Sequence, residues 1–81
     1  MSVILGIKSR NREDCAVRLQ KILTKHGCFI DTRIGLHYFE KCGDFGLILL
    51  SINDDEKAVE IEAQILEIPE TETQRMIFKT D

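Results

Sequence analysis

Residues 30–39 read IDTRIGLHYF, and this stretch decides the fold class. Ile30, Thr32, Ile34, Leu36 and Tyr38 alternate with Asp31, Arg33, Gly35, His37 and Phe39. A period of two marks a half-buried strand, whereas a helix repeats its apolar positions every three or four residues. An all-helical chain is therefore excluded. The residues that follow, EKCGD at 40–44, are rich in charge and carry a glycine, and FGLILLSI at 45–52 is again apolar and branched. So short a connection between two such runs predicts a β-hairpin.

Upstream, VILGI at 3–7 reads as a first strand, followed by polar residues. Asn11 is placed to cap a helix in which Cys15, Leu19, Ile22 and His26 fall at helical spacing. Ala16 and Leu23 widen that stripe, and Gly27 is expected to supply a left-handed stop. Downstream, Asn53 and Glu56 have capping-box spacing, and Ala58, Ile61, Ile65 and Ile68 share one helical face until Pro69. Gln74, Met76 and Phe78 then alternate with Arg75, Ile77 and Lys79 as a fourth strand. With right-handed crossovers, the order strand, helix, strand, strand, helix, strand predicts an α+β split βαβ sandwich. Its four strands are antiparallel, both helices lie on one face, and a single domain spans residues 1–81.

At 81 residues such a domain buries only about 60% of its extended-chain surface, so a partner subunit would add stability. The composition, 43% apolar and 31% charged, is that of a globular protein rather than a disordered one. The longest apolar run, 47–52, is far short of the roughly 20 residues of a membrane helix, and MSVILGIKSR has no signal-peptide character. Cys15, Cys28 and Cys42 form no CxxC pair, which fits reduced thiols and predicts a cytoplasmic location. Residues 1–41 carry 8 basic and 4 acidic side chains, whereas residues 42–81 carry 3 and 10. The net charge of −3 argues against nucleic acid as a partner, and the central strands lack the aromatic side chains that stack on RNA bases.

The first strand offers Val3, Leu5 and Ile7 to one face and Ile4 and Gly6 to the other; the third offers Ile48, Leu50 and Ile52 against Leu47 and Leu49. Two helices cover one face only. The expected second cover is another copy of the chain, giving a homodimer or tetramer through the sheet face or the edge strands.

The pairing of NREDCAVRLQKILTKHGCFIDTRIGLH with CGDFGLILLSI resembles the family of small regulators of the iron-only hydrogenase system. These are similar to ACT domains and to the C-terminal regulatory domain of nickel-responsive repressors. The resemblance covers nearly the whole chain and rests on the patterning around Arg33, Gly35, His37 and Gly46. It implies a ferredoxin-like, ACT-like sandwich that assembles into oligomers and acts as a regulator, sensing a small effector or metal or docking to a partner protein. Of the nickel-responsive pattern, two histidines two apart followed by a cysteine, only His37 and Cys42 in HYFEKC have counterparts.

Four residues are candidates for effector binding. Arg33 sits mid-strand and, by parity, on the open face beside Ile4 or Ile48, with Gly35 next to it. A guanidinium there is expected to pair with a carboxylate such as Asp31 across an interface or to meet an anionic ligand. Arg10 and Arg12, in KSRNR ahead of a helix N-terminus, could hold an anion.

No cofactor is expected. A transition metal would need His37 and Cys42 at a subunit interface, completed by Asp44, Glu40, water, or His26 and Cys28 of a neighbour. Cys28 and His37 lie about 30 Å apart along a continuous strand and cannot share an ion within one copy. Cys15 and Cys28 are expected as small core residues, and His26 as a cation suited to the helix C-terminus. An acylphosphatase-like hydrolase would use Arg10 or Arg12 with Asn53, but the glycine-rich phosphate loop is missing and no nucleophile and base converge. The chain is therefore expected not to be an enzyme.

Overall fold

The sheet is built on an unbroken antiparallel ladder between β1 (Val3–Arg10) and β3 (Phe45–Ile52), running from Val3↔Ile52 to Arg10↔Phe45. The structure, a computed structural model, describes residues 3–10, 12–36 and 45–78. Strand β4 (Glu72–Ile77) pairs with the other edge of β1, and β2 (Ile30–Leu36) with the other edge of β3, giving the order β2-β3-β1-β4. With α1 (Glu13–Lys25) and α2 (Asp55–Ile65), this is the ferredoxin-like, ACT-like βαββαβ sandwich. Strand β1 runs three residues beyond the apolar stretch because Lys8, Ser9 and Arg10 find ladder partners in Leu47, Gly46 and Phe45. The expected cap at Asn11, the end of the second strand at 37–39 and the turn at 40–44 lie outside the described residues.

Alternation sorts the sheet into two faces. Val3, Leu5 and Ile7 of β1 and Leu50 and Ile52 of β3 are buried with Cys15, Leu19 and Leu23 of α1 and Ala58, Ile61 and Ile65 of α2. Ile68, in the turn after α2, closes this core. The opposite face carries Ile4, Gly6 and Lys8 beside Leu47, Leu49 and Ser51, flanked by Ile34, Leu36 and Met76, which are about half exposed.

Strand β2 departs from simple alternation. Its register shifts between Ile30 and Thr32, so Asp31 is an extra residue and the faces reverse across it. Ile30 packs on the core, whereas Arg33 and Gly35, opposite Leu50 and Ile48, also fall on the helix-bearing face, and Ile34 and Leu36 turn outward. The expectation of Arg33 on the open face is thus overturned by a bulge.

The helix ends differ from expectation in three ways. Helix α2 is capped by Asp54, whose Oδ1 accepts from the Lys57 amide at 2.9 Å; Asn53, one residue earlier, instead donates Nδ2 to Asp31 Oδ1 at 2.9 Å. Gly27 takes no left-handed conformation: α1 tightens into a short 3-10 turn, Gly27–Phe29. His26, expected on the helical stripe and as a cation suited to the helix C-terminus, is buried at 4% exposure, and its Nε2 lies 3.0 Å from Gln64 Oε1 of α2. The turn also leaves Cys28 exposed rather than in the core, while Cys15 is buried as expected. No helix among the described residues is long and apolar enough to cross a membrane.

The cap assignment is tested by paired substitutions. Asp54→Ala should cost about 1 kcal/mol, roughly 4–8 °C in unfolding midpoint for a domain of this size, with a smaller loss for Asn53→Ala. Equal losses, or the reverse order, would contradict it. Ile61→Ala, which empties a fully buried position, should cost about 2–5 kcal/mol in urea unfolding.

Candidate anion-binding cleft

Three strands reach the N-terminal half of α1 with small residues. On the helix face, β1 ends in Ser9, β3 begins with Gly46 opposite it, and β2 carries Gly35, where an added Cβ would meet nothing within 4 Å. The space they leave is a cleft of about 620 Å³ between α1 and the sheet, a size typical of small-molecule sites. Its lining includes Arg10, Arg12, Arg33 and Gly35, so the structure gathers all four candidate ligand residues around one cavity. Ala16, Leu19 and Ile48 give it an apolar side.

The three arginines differ in what already holds them. The Arg10 Nε donates to Glu70 Oε2 at 2.6 Å, and its guanidinium lies 4.6 Å from the centroid of the Phe45 ring. The Arg12 Nη2 donates to Asp14 Oδ2 at 3.2 Å. That bond holds the Asp14 carboxyl below the usual carboxylate range and raises the guanidinium's own value. Arg33 donates Nη1 to Gln20 Oε1 at 2.9 Å, and among the described residues no carboxylate meets it. Asp31, its expected partner, is taken by Asn53. A neutral amide orients the guanidinium without cancelling its charge, so Arg33 is the cation best placed to receive an anion in the cleft.

At the start of α1 the N-cap, Arg12, is extended and makes no side-chain capping bond, while Glu13 and Asp14 already set negative charge in the first turn. Among the described residues that line the cleft, Glu13 is the acidic one. Gln20, which sequence reasoning missed, is positioned by α1 beside the apolar stripe. Its only signal was a polar residue adjoining Leu19, too weak to identify it.

The hydrolase constellation does not assemble. Arg10 closes β1 opposite Phe45, while Asn53 follows Ile52, which pairs with Val3 at the other end, a separation of about 23 Å along the strand. Among the described residues no group of three or more His, Cys, Asp or Glu side chains could hold a metal. His37 and Cys42 lie outside those residues. Burial of His26 against Gln64 removes it from the ligands that a neighbouring copy could have contributed.

No family model matches the chain, and no curated protein matches it significantly. Among solved structures, an uncharacterized protein of Thermotoga maritima, TM1266, superposes with a TM-score of 0.84 at 19% identity, covering 96% of each chain. A formyltetrahydrofolate deformylase from Pseudomonas putida KT2440 gives a TM-score of 0.65 at 12% identity, over 95% of this chain and 29% of that one. An unknown protein from Galdieria sulphuraria gives 0.56 at 16% identity, over 98% and 46%. At these identities the likeness is one of fold: a small ACT-like sandwich that also occurs within a longer enzyme chain.

Proposed function

We propose that this chain is a small regulatory domain, not an enzyme, that senses a small anionic effector in the cleft beside α1 and works as a homo-oligomer. The observation that carries the reading is Arg33: a guanidinium lining a cleft of about 620 Å³ and met, among the described residues, by an amide oxygen and no carboxylate. The effector class follows from the lining. A carboxylate or phosphate group meets Arg33, with the backbone at Gly35 close by, and a short apolar portion lies on Ala16, Leu19 and Ile48. The likeness to a segment of the deformylase fits a regulatory module, and the half-exposed apolar side chains of the open sheet face fit self-association.

The test is thermal unfolding and calorimetry against inorganic phosphate and a panel of small mono- and dicarboxylates. A true effector at a hundred times its Kd stabilises the fold by about 2.7 kcal/mol, a rise of roughly 10 °C or more in midpoint. Arg33→Ala should weaken that binding about tenfold or more, as expected for loss of a hydrogen bond to a charged group, with the unliganded midpoint nearly unchanged. A shift of the same size in Arg33→Ala would place the anion elsewhere; no shift with any anion would remove the reading.

A further inference from the structure

We infer that the open sheet face is a self-complementary dimer surface on which Leu49 of each copy seats over Gly6 of the other. This rests on the homo-oligomer reading above and names the contact that would create it. The face carries a hollow of about 410 Å³ whose apolar border is Ile4, Gly6, Leu47, Leu49 and Met76 and whose polar rim is Lys8, Glu72, Gln74 and Arg75. Gly6 makes its floor, in the interior of one of the two inner strands. Nothing inside the domain requires a glycine there. Gly6 is paired in regular register on both sides, with Leu49 and Gln74, and takes no left-handed conformation. An added Cβ would meet Leu49 Cδ2 at 3.5 Å and Gln74 O at 3.7 Å, which are ordinary contacts. A glycine inside a strand lowers stability and otherwise marks close approach by another group, so its use here points to something entering from outside.

A second copy fits that role because of where Leu49 stands. Gly6 and Leu49 are direct cross-strand partners in the middle of the face, a hole beside a knob. A two-fold axis lying between the sheets, parallel to the strands and midway between β1 and β3, carries each Leu49 onto the other copy's Gly6. The same operation sets Ser51 over Ile4 and Leu47 over the aliphatic stem of Lys8. Sheets stacked in this way keep their strands nearly aligned, the usual geometry of a sandwich. Four strands about 4.8 Å apart, each presenting some 20 Å of length, make a footprint of roughly 400 Å², about half of the roughly 800 Å² per partner of a standard interface, so the contact is a small one that depends on how well its centre fits.

Sedimentation equilibrium on three proteins, singly and mixed, tests the contact. The unsubstituted chain should dimerise at micromolar concentration. Gly6→Leu, which fills the hole, and Leu49→Ala, which removes the knob, should each weaken the dimer about tenfold or more. An equimolar mixture of the two variants should dimerise again, because the new leucine at position 6 meets the alanine at 49 while the other contact is native. Rescue on mixing cannot come from misfolded proteins, and Gly6→Ala should raise the unfolding midpoint of the monomer in a parallel control. A monomeric unsubstituted chain would overturn both this contact and the homo-oligomer reading. A dimer undiminished by Gly6→Leu, or two weakened variants that do not rescue each other, would overturn the contact alone and leave association to another surface.

Discussion

The ladder between β1 and β3 is the constraint to which the rest of the domain is referred. Its eight consecutive pairs decide which side chains reach the helices. A slip of one residue would turn Leu5, Ile7, Leu50 and Ile52, all at most 1% exposed, out of the core. At about 1.5–3 kcal/mol for each fully buried side chain, that loss is on the order of 6–12 kcal/mol. It rivals the whole stability of a small domain, about 5–15 kcal/mol. Register is therefore not negotiable, and the outward row set by the same ladder is equally fixed.

The two faces serve different purposes on the proposed reading, and β3 supplies both. Gly46 and Ile48 line the cleft, Leu49 stands on the open side, and Leu47 borders both hollows. Effector and second copy therefore occupy different hollows that meet at Leu47, and the strand between them belongs to both sites. The cleft itself exists because Ser9, Gly35 and Gly46, each one residue inside the end of its strand, are small residues below the first turns of α1. A larger residue at Gly35 would project into that space.

Element order, fold class and most of the core were legible because period-two and period-3.6 patterns were long and clean. Leu19 and Leu23, Ile61 and Ile65 lie where their spacing puts them. The face of Arg33 was not legible. Alternation from Ile30 to Leu36 is unbroken as text, and nothing in IDTRIGL marks Asp31 as the inserted residue. The bulge emerges only when Ile30 has to stay on the core while Thr32 pairs with Ser51. The cap of α2 was ambiguous for a related reason: Asn53 and Asp54 are both good caps, and a distant hydrogen bond to Asp31 takes the first of them. The place of His26 on the helix stripe was legible but its partner was not, because Gln64 lies 38 residues away. The candidate cleft residues could be named singly, but their convergence needed the register of three strands.

The same bulge has a bearing on how the protein behaves when concentrated. Strand β2 lies at one margin of the sheet, where unpaired amides and carbonyls invite a foreign strand. The extra residue at Asp31 interrupts that row, and the charges of Asp31 and Arg33 sit on either side of the interruption. A polypeptide laid along this margin would lose its hydrogen-bond phase after the first pair and meet ionised groups. The irregularity that redirects Arg33 thus also disfavours strand addition at the Ile30 end of this margin, leaving Thr32 to Leu36 as its regular part.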